Sequence, residues 1–261
     1  MINPLKKYRM KKNKIVRLSV LFISSFLIVS CNSTERMSNS IFNCMDGEGT
    51  KTTKSLAVSD FEGVNLAFSS DVIIKQGDVL AVKAIGHPNI IDKILTTTTN
   101  NIWKMELEKG CYSNYDLTIE ITTPYLNQIE ITGSGDITVD HFTNQKELTI
   151  DMSGSGDLVL SNFEGITDLN ISLSGSGDLT ATQDITTLTH LNYKSSGSGD
   201  YSGYKLSSQN STVRLSGSGD CKTTARDNLN VSISGSGDLS YKGSPTLSQK
   251  STGSGDVVNA N

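Results

Sequence analysis

From Asn127 to Val257 the chain alternates apolar and polar residues with a period of two, on both sides of a recurring Gly-Ser-Gly-Asp tetrapeptide. The tetrapeptide begins at Gly133, Gly154, Gly175, Gly197, Gly217, Gly235 and Gly253, at spacings of 21, 21, 22, 20, 18 and 18 residues. Positions two, four and six before each first Gly, and one after each Asp, make four columns in which 23 of 28 residues are apolar. The interleaved columns, three and five before the Gly, contain no apolar residue; Asp151, Asn170, Lys194 and Arg214 stand there. Such alternation marks a strand with one buried face. Each repeat therefore reads as strand, tight corner, strand and a variable return. The corners are expected to need Gly for positive φ, which is cheap only without a Cβ.

Antiparallel hairpins in a sandwich and parallel coils stacked on one another both fit this pattern. Stacking is favoured, because coils in register lay like residues over one another and demand the same corner each time, whereas a sandwich imposes no such identity. The expected fold is all-β: a parallel β-helix-like solenoid of about seven regular coils with a less regular N-terminal cap. Residues 55–261 make a single domain, divided into an irregular half, 55–125, and the repeats, 126–261. In the irregular half, Phe68-Ser69-Ser70-Asp71-Val72-Ile73-Ile74 looks like a corner without Gly. The 65 residues from Asp71 to Asp136 suit about three looser coils, with a short helical turn at Ile90–Leu95. A sheet edge must be covered or it pairs with other chains. The Val257–Asn261 end offers little cover, which leaves oligomerisation through the C-terminal coil open.

The first 30 residues change the picture of address. Met1 to Arg17 carries seven cations and no acid, and Leu18 to Val29 is an apolar run too short to span a bilayer. Ile28-Val29-Ser30-Cys31 resembles a bacterial lipobox. Residues 1–30 thus read as a lipoprotein signal peptide, Cys31 as the lipidated residue, and the Ser-, Thr- and Asn-rich segment 31–54 as a flexible tether. Removal of the signal leaves 16 cations against 27 acids, a net charge near −11, which argues against nucleic acid as a partner. Of the remaining cysteines, Cys44 and Cys111 are candidates for a disulfide in an exported chain. Gly, at 23 of 261 residues, is far below one in three, so collagen is excluded.

Four segments together resemble the autotransporter-adhesin head domain family, known as the GIN domain. They are Phe61-Glu62-Gly63-Val64, Asp71-Val72-Ile73-Ile74-Lys75-Gln76-Gly77, Leu117-Thr118-Ile119-Glu120-Ile121 and Ile129-Glu130-Ile131-Thr132-Gly133-Ser134-Gly135-Asp136. The resemblance covers roughly Ala57 to Val258. It implies a right-handed β-helix-like fold and an exported location, and it defines no catalytic residues to carry over.

Stacked coils would set Asp136, Asp157, Asp178, Asp200, Asp220, Asp238 and Asp256 in a file about 4.8 Å apart. Two carboxylates at that distance repel by about 0.9 kcal/mol in water. The repulsion must be offset by hydrogen bonds from corner N–H groups and hydroxyls, or by cations such as Ca²⁺ between coils. A preceding column, Thr132, Ser153, Ser174, Ser196, Ser216, Ser234 and Thr252, supplies hydroxyls. Ca²⁺ needs six to eight oxygens and each corner brings one acid, so a structural role without metal or other cofactor is the expected one. His87, His141 and His190 show no metal-ligand spacing, Cys221 occupies an inward column, and Trp103 suits either cap core or a sugar platform. Lys194 and Arg214 are adjacent outward residues without an acid cluster. The sequence reads as a non-catalytic lipoprotein of the outer membrane, its face undetermined, adhesive or structural, with a protein or glycan partner. The alternatives are a glycan-capture or carbohydrate-active protein of a polysaccharide-uptake system, and an envelope-stress component.

Overall fold

The computed structural model describes residues 44–261; the segment 1–30, Cys31 and the first part of the expected tether lie outside the described residues. The described chain is an all-β parallel solenoid. Strands Gln128–Ile131, Glu147–Met152, Asp168–Leu173 and His190–Ser195 pair in parallel and in register. The later parts of the long strands Tyr201–Leu215 and Cys221–Ile233, then Thr246–Ser251, extend the series. Beyond the corners a second series runs through Ile137–Val139, Leu158–Leu160, Leu179–Ala181, the start of each long strand, Leu239–Lys242 and Val257–Asn259. Ile129, Ile150, Ile171, Tyr193, Val213, Val231 and Gln249 consequently lie over one another, and all but the last are buried. Each apolar column becomes one continuous seam of core that no single coil could bury alone. In the last coil the inward positions turn polar, with Gln249 and Ser251 exposed.

The corners need Gly for a different reason from the one expected. None of the tetrapeptide glycines is among the positive-φ residues, whose glycines are Gly49, Gly165 and Gly243. The requirement is closeness. A Cβ on Gly177 would run into the carbonyl oxygen of Gly156 in the preceding coil, and one on Gly154 into that of Gly133. The first carbonyl of each corner is also held in place by a hydrogen bond from the following coil, as in Ser155 N to Gly133 O and Ser176 N to Gly154 O, both 3.0 Å.

The irregular half departs from sequential stacking. Gly63–Leu66 and Asp71–Gln76 pair directly with Gln128–Ile131 and Ile137–Val139, so Asp71 to Asp136 do not fill three coils between them. The corner without Gly lies directly beneath the first Gly-Ser-Gly-Asp corner, where Thr132 N and Gly133 N each donate to Leu66 O at 2.9 Å. The intervening chain goes to the opposite side. Ile102–Met105 and Leu117–Thr123 form a parallel layer on the far edge of the 63–76 coil. Ala81–Gly86 pairs antiparallel with Leu117–Thr123, and Thr52–Leu56 antiparallel with Ala81–Gly86. Antiparallel strands cannot continue a parallel stack, so this end is closed. The helical turn is Pro88–Ile91, with Ile90 and Ile91 buried. Part of the expected tether belongs to the fold: Met45–Asp46 pairs with Tyr112–Ser113, and Thr52–Leu56 is the outermost cap strand.

The returns also differ along the stack. In the early coils they are loops, two of which pair briefly as Phe142–Thr143 on Phe163–Glu164, with the Phe rings stacked at 5.2 Å. In Tyr201–Leu215 and Cys221–Ile233 the return is itself strand, with register shifts between Gly203 and Ser207 and between Ser208 and Asn210.

Candidate functional site

The seven aspartates form a single file at the corner. The main-chain N–H of Asp157 donates to Asp136 Oδ1 at 2.8 Å, and the same bond joins Asp178 to Asp157, Asp200 to Asp178, Asp220 to Asp200, Asp238 to Asp220 and Asp256 to Asp238, at 2.7–2.8 Å. In the other direction, the N–H after each Asp donates to the carbonyl of the next Asp, as Ile137 N does to Asp157 O at 2.9 Å. The carboxylates therefore work as coil-to-coil clamps, and charge-assisted acceptance from a backbone N–H offsets the repulsion within the file. Some hydroxyls of the preceding column donate downward to main-chain carbonyls, for example Ser216 Oγ to Ser195 O at 3.1 Å. Among the described residues no group of three or more His, Cys, Asp or Glu is gathered as a metal site.

The other singled-out residues do not converge. Cys44 is joined to Cys111 in a disulfide, Cα atoms 4.5 Å apart, beside the pairing of Met45–Asp46 with Tyr112–Ser113. Cys221 is buried, and burial pushes its thiol well up, away from the thiolate a nucleophile requires. Trp103 is no sugar platform: it is fully buried, donates its ring N–H to Leu95 O at 3.0 Å and packs on Phe61. His87 Nδ1 donates to Gly49 O, His141 accepts from the Asn162 amide, and His190 meets Asp168, each at 2.8–2.9 Å and far apart in the fold. Lys194 and Arg214 sit opposite each other on neighbouring coils, exposed.

Sequence reasoning missed a set of clefts on the return side. One, of about 390 Å³, lies between Asp60–Glu62, Asp78–Leu80, Asn101 and Thr123–Tyr125. A second, about 480 Å³, shares Asp78, Pro124 and Tyr125 with it and reaches His141 and Asn144. A third, about 420 Å³, shares Thr143 and Asn144 and continues past Asn162 and Glu164 to Asp184. Tyr125 is 60% exposed and Val79 73% exposed on their rims. Buried or half-buried glutamines fix the walls. The Gln76 amide donates to Pro124 O and Thr143 O and accepts from Thr143 N, and Gln145 accepts from Leu126 N while donating to Asn127. The legible signal was the return, the one part of the repeat whose length and composition vary, together with Pro124-Tyr125 at the end of the irregular half.

The sequence model of a family described as "Putative auto-transporter adhesin, head GIN domain" matches residues 60–245. No curated protein matches the chain. Among solved structures, a putative adhesin from Bacteroides fragilis is similar with a TM-score of 0.75 and 23% identity, over 82% of this chain and 99% of that one. A putative lipid binding protein from Parabacteroides distasonis gives 0.67 and 20%, over 82% and 99%. A putative adhesin from the same organism gives 0.59 and 18%, over 83% and 99%. At these identities the likeness is one of fold.

Proposed function

The chain belongs to the head GIN domain family, and from that premise we propose that it is a non-catalytic module of the cell envelope, held by a lipid on Cys31 and adhesive through its solenoid surface. The observation that carries this reading is the aspartate file. The corner aspartates are the carboxylates that recur in every repeat, and from Asp136 to Asp238 each is already occupied in clamping coil to coil. Such a surface is built to be rigid and to present side chains, and among the described residues no nucleophile, base and oxyanion donors are brought together. The adhesin names of the similar structures fit it, as does a basic, apolar, Cys-terminated start to the sequence. The reading requires no cofactor, so millimolar Ca²⁺ should leave the melting temperature unchanged; a rise would assign the file a cation instead.

Two measurements test the proposal together. Protease added to intact cells should degrade the protein, and deletion of the gene should reduce attachment to a host or matrix surface. Full protection from protease with unchanged attachment would refute it. Replacing Cys31 by Ser should move the protein from the membrane fraction to the soluble one.

A further inference from the structure

Resting on the adhesive reading above, we propose that the return side carries a groove for a neutral oligosaccharide, with Tyr125 and Asp78 at its centre. The three clefts are one feature, because each shares residues with the next: Asp78, Pro124 and Tyr125 join the first two, Thr143 and Asn144 the last two. The groove follows the stacking direction from the Asp60–Glu62 layer to Asp184 across about four layers, or roughly 14 Å at the strand spacing. That length suits a short run of linked sugar rings.

Its chemistry is mixed in the way a polyol requires. Tyr125 offers a flat ring with an apolar face and a polar tip, which is 60% exposed even though neighbouring Leu126 is fully buried. Around it stand amides, hydroxyls and carboxylates, which together donate to and accept from hydroxyl groups. No Lys or Arg lines the three clefts, so an anionic chain would meet only like charge. Five carboxylates line them, and three are already engaged: Asp184 is paired with Lys205 at 3.1 Å, and Glu62 and Glu164 accept from the Asn127 and Asn162 amides at 3.1 and 3.5 Å. That leaves Asp60 and Asp78 with acceptor oxygens free for sugar hydroxyls.

The site is preorganised, which limits the ordering cost of binding. Thr123 Oγ1 donates to Tyr125 O at 3.0 Å, the Gln76 amide ties the Pro124 loop to the Thr143 loop, and the Asn144 backbone is held at φ 60° beside Gly165. These bonds keep the Tyr125 loop and the Asn144 turn facing one another without a ligand.

The test is binding of the full chain to an immobilised panel of neutral gluco-, manno-, galacto- and xylo-oligosaccharides. A polygalacturonate oligomer and a Lys-rich peptide serve as contrasts. At least one neutral oligosaccharide should bind, Tyr125→Ala should weaken it about tenfold or more, and Asp78→Asn should weaken it less. Ser176→Ala, on the corner side, should leave it unchanged, with all variants melting like the parent. Binding of no neutral sugar, binding unaffected by Tyr125→Ala, or preference for the Lys-rich peptide would each overturn the groove assignment. Attachment assays separate this from the broader reading. If gene deletion abolishes attachment while Tyr125→Ala does not, adhesion stands and the groove falls. If Tyr125→Ala abolishes sugar binding while deletion leaves attachment intact, the groove stands and adhesion falls.

Discussion

The corner side and the return side are made from the same coils, yet they obey opposite rules. At the corner, backbones approach so closely that a single Cβ would meet the carbonyl of the coil beneath, and every regular coil repeats the same four residues. At the return, spacings drift from 22 to 18 residues, loops give way to strand, and clefts open between layers. Identity is enforced where main chains pass too close for a Cβ, and variation is tolerated where they stand further apart. Function in such a molecule is therefore to be sought on the side that does not repeat.

The strongest expected contrast is between a corner Gly and an outward strand residue of the same layer. Gly177→Val should cost about 3 kcal/mol or more, because backbone must move in two coils. Asn170→Ser, which only loosens an exposed amide ladder with Asn192, should stay within about 0.5 kcal/mol. Thermal or urea melts of the two variants decide it, and equal stability would contradict the close-contact account.

Next in size is the clamp itself. Asp178→Ala removes the acceptor for Asp200 N–H and should destabilise by about 1 kcal/mol. Asp178→Asn keeps an acceptor and relieves repulsion from Asp157 and Asp200, so it should be neutral or slightly stabilising, more so at low salt. Asp256, whose carboxylate serves no further coil among the described residues, should tolerate Ala almost without effect. If all three variants behave alike in melts, the carboxylates are not clamps.

An opposite sign is expected inside the core. The rings of Tyr193 and Tyr201 stack at 4.8 Å, and the hydroxyls of Tyr201 and Thr223 are buried without hydrogen-bond partners among the described residues. Tyr201→Phe deletes one such group while keeping the ring, and should raise stability by up to about 1 kcal/mol. A lowered melting temperature would mean that the hydroxyl has a partner in solution.

The smallest effect is electrostatic. The Thr167 hydroxyl, with His190 adding to it, holds the exposed Asp168 carboxyl below its ordinary value of 3.8. A depressed carboxylate contributes stability that is present above 3.8 and lost as pH falls through its lower folded value. An NMR titration should find this carboxyl titrating below 3.8, and Thr167→Val should move it back up.

The repeats were readable because stacking converts a spatial contact into a recurrence along the chain: the Ile129 column and the aspartate file could be written out before any coordinates. The reason for Gly at the corners was not readable, since positive φ and close approach select the same residue. Nor was the order of layers in the irregular half. The placement of Ile102–Met105 on the far edge of Gly63–Leu66 depends on pairings that leave no periodic trace. The return-side groove was hidden for a related reason, as its walls come from loops whose partners lie a full coil away.

The direction of the carboxylate bonds has a further consequence. In each pair the earlier aspartate accepts and the later one donates, so a finished coil always holds out an unfilled oxygen to the stretch of polypeptide that comes after it. For a chain threaded across a membrane N-terminus first, every emerging segment would meet a template already set, and zippering would advance in a single sense from the closed end outward.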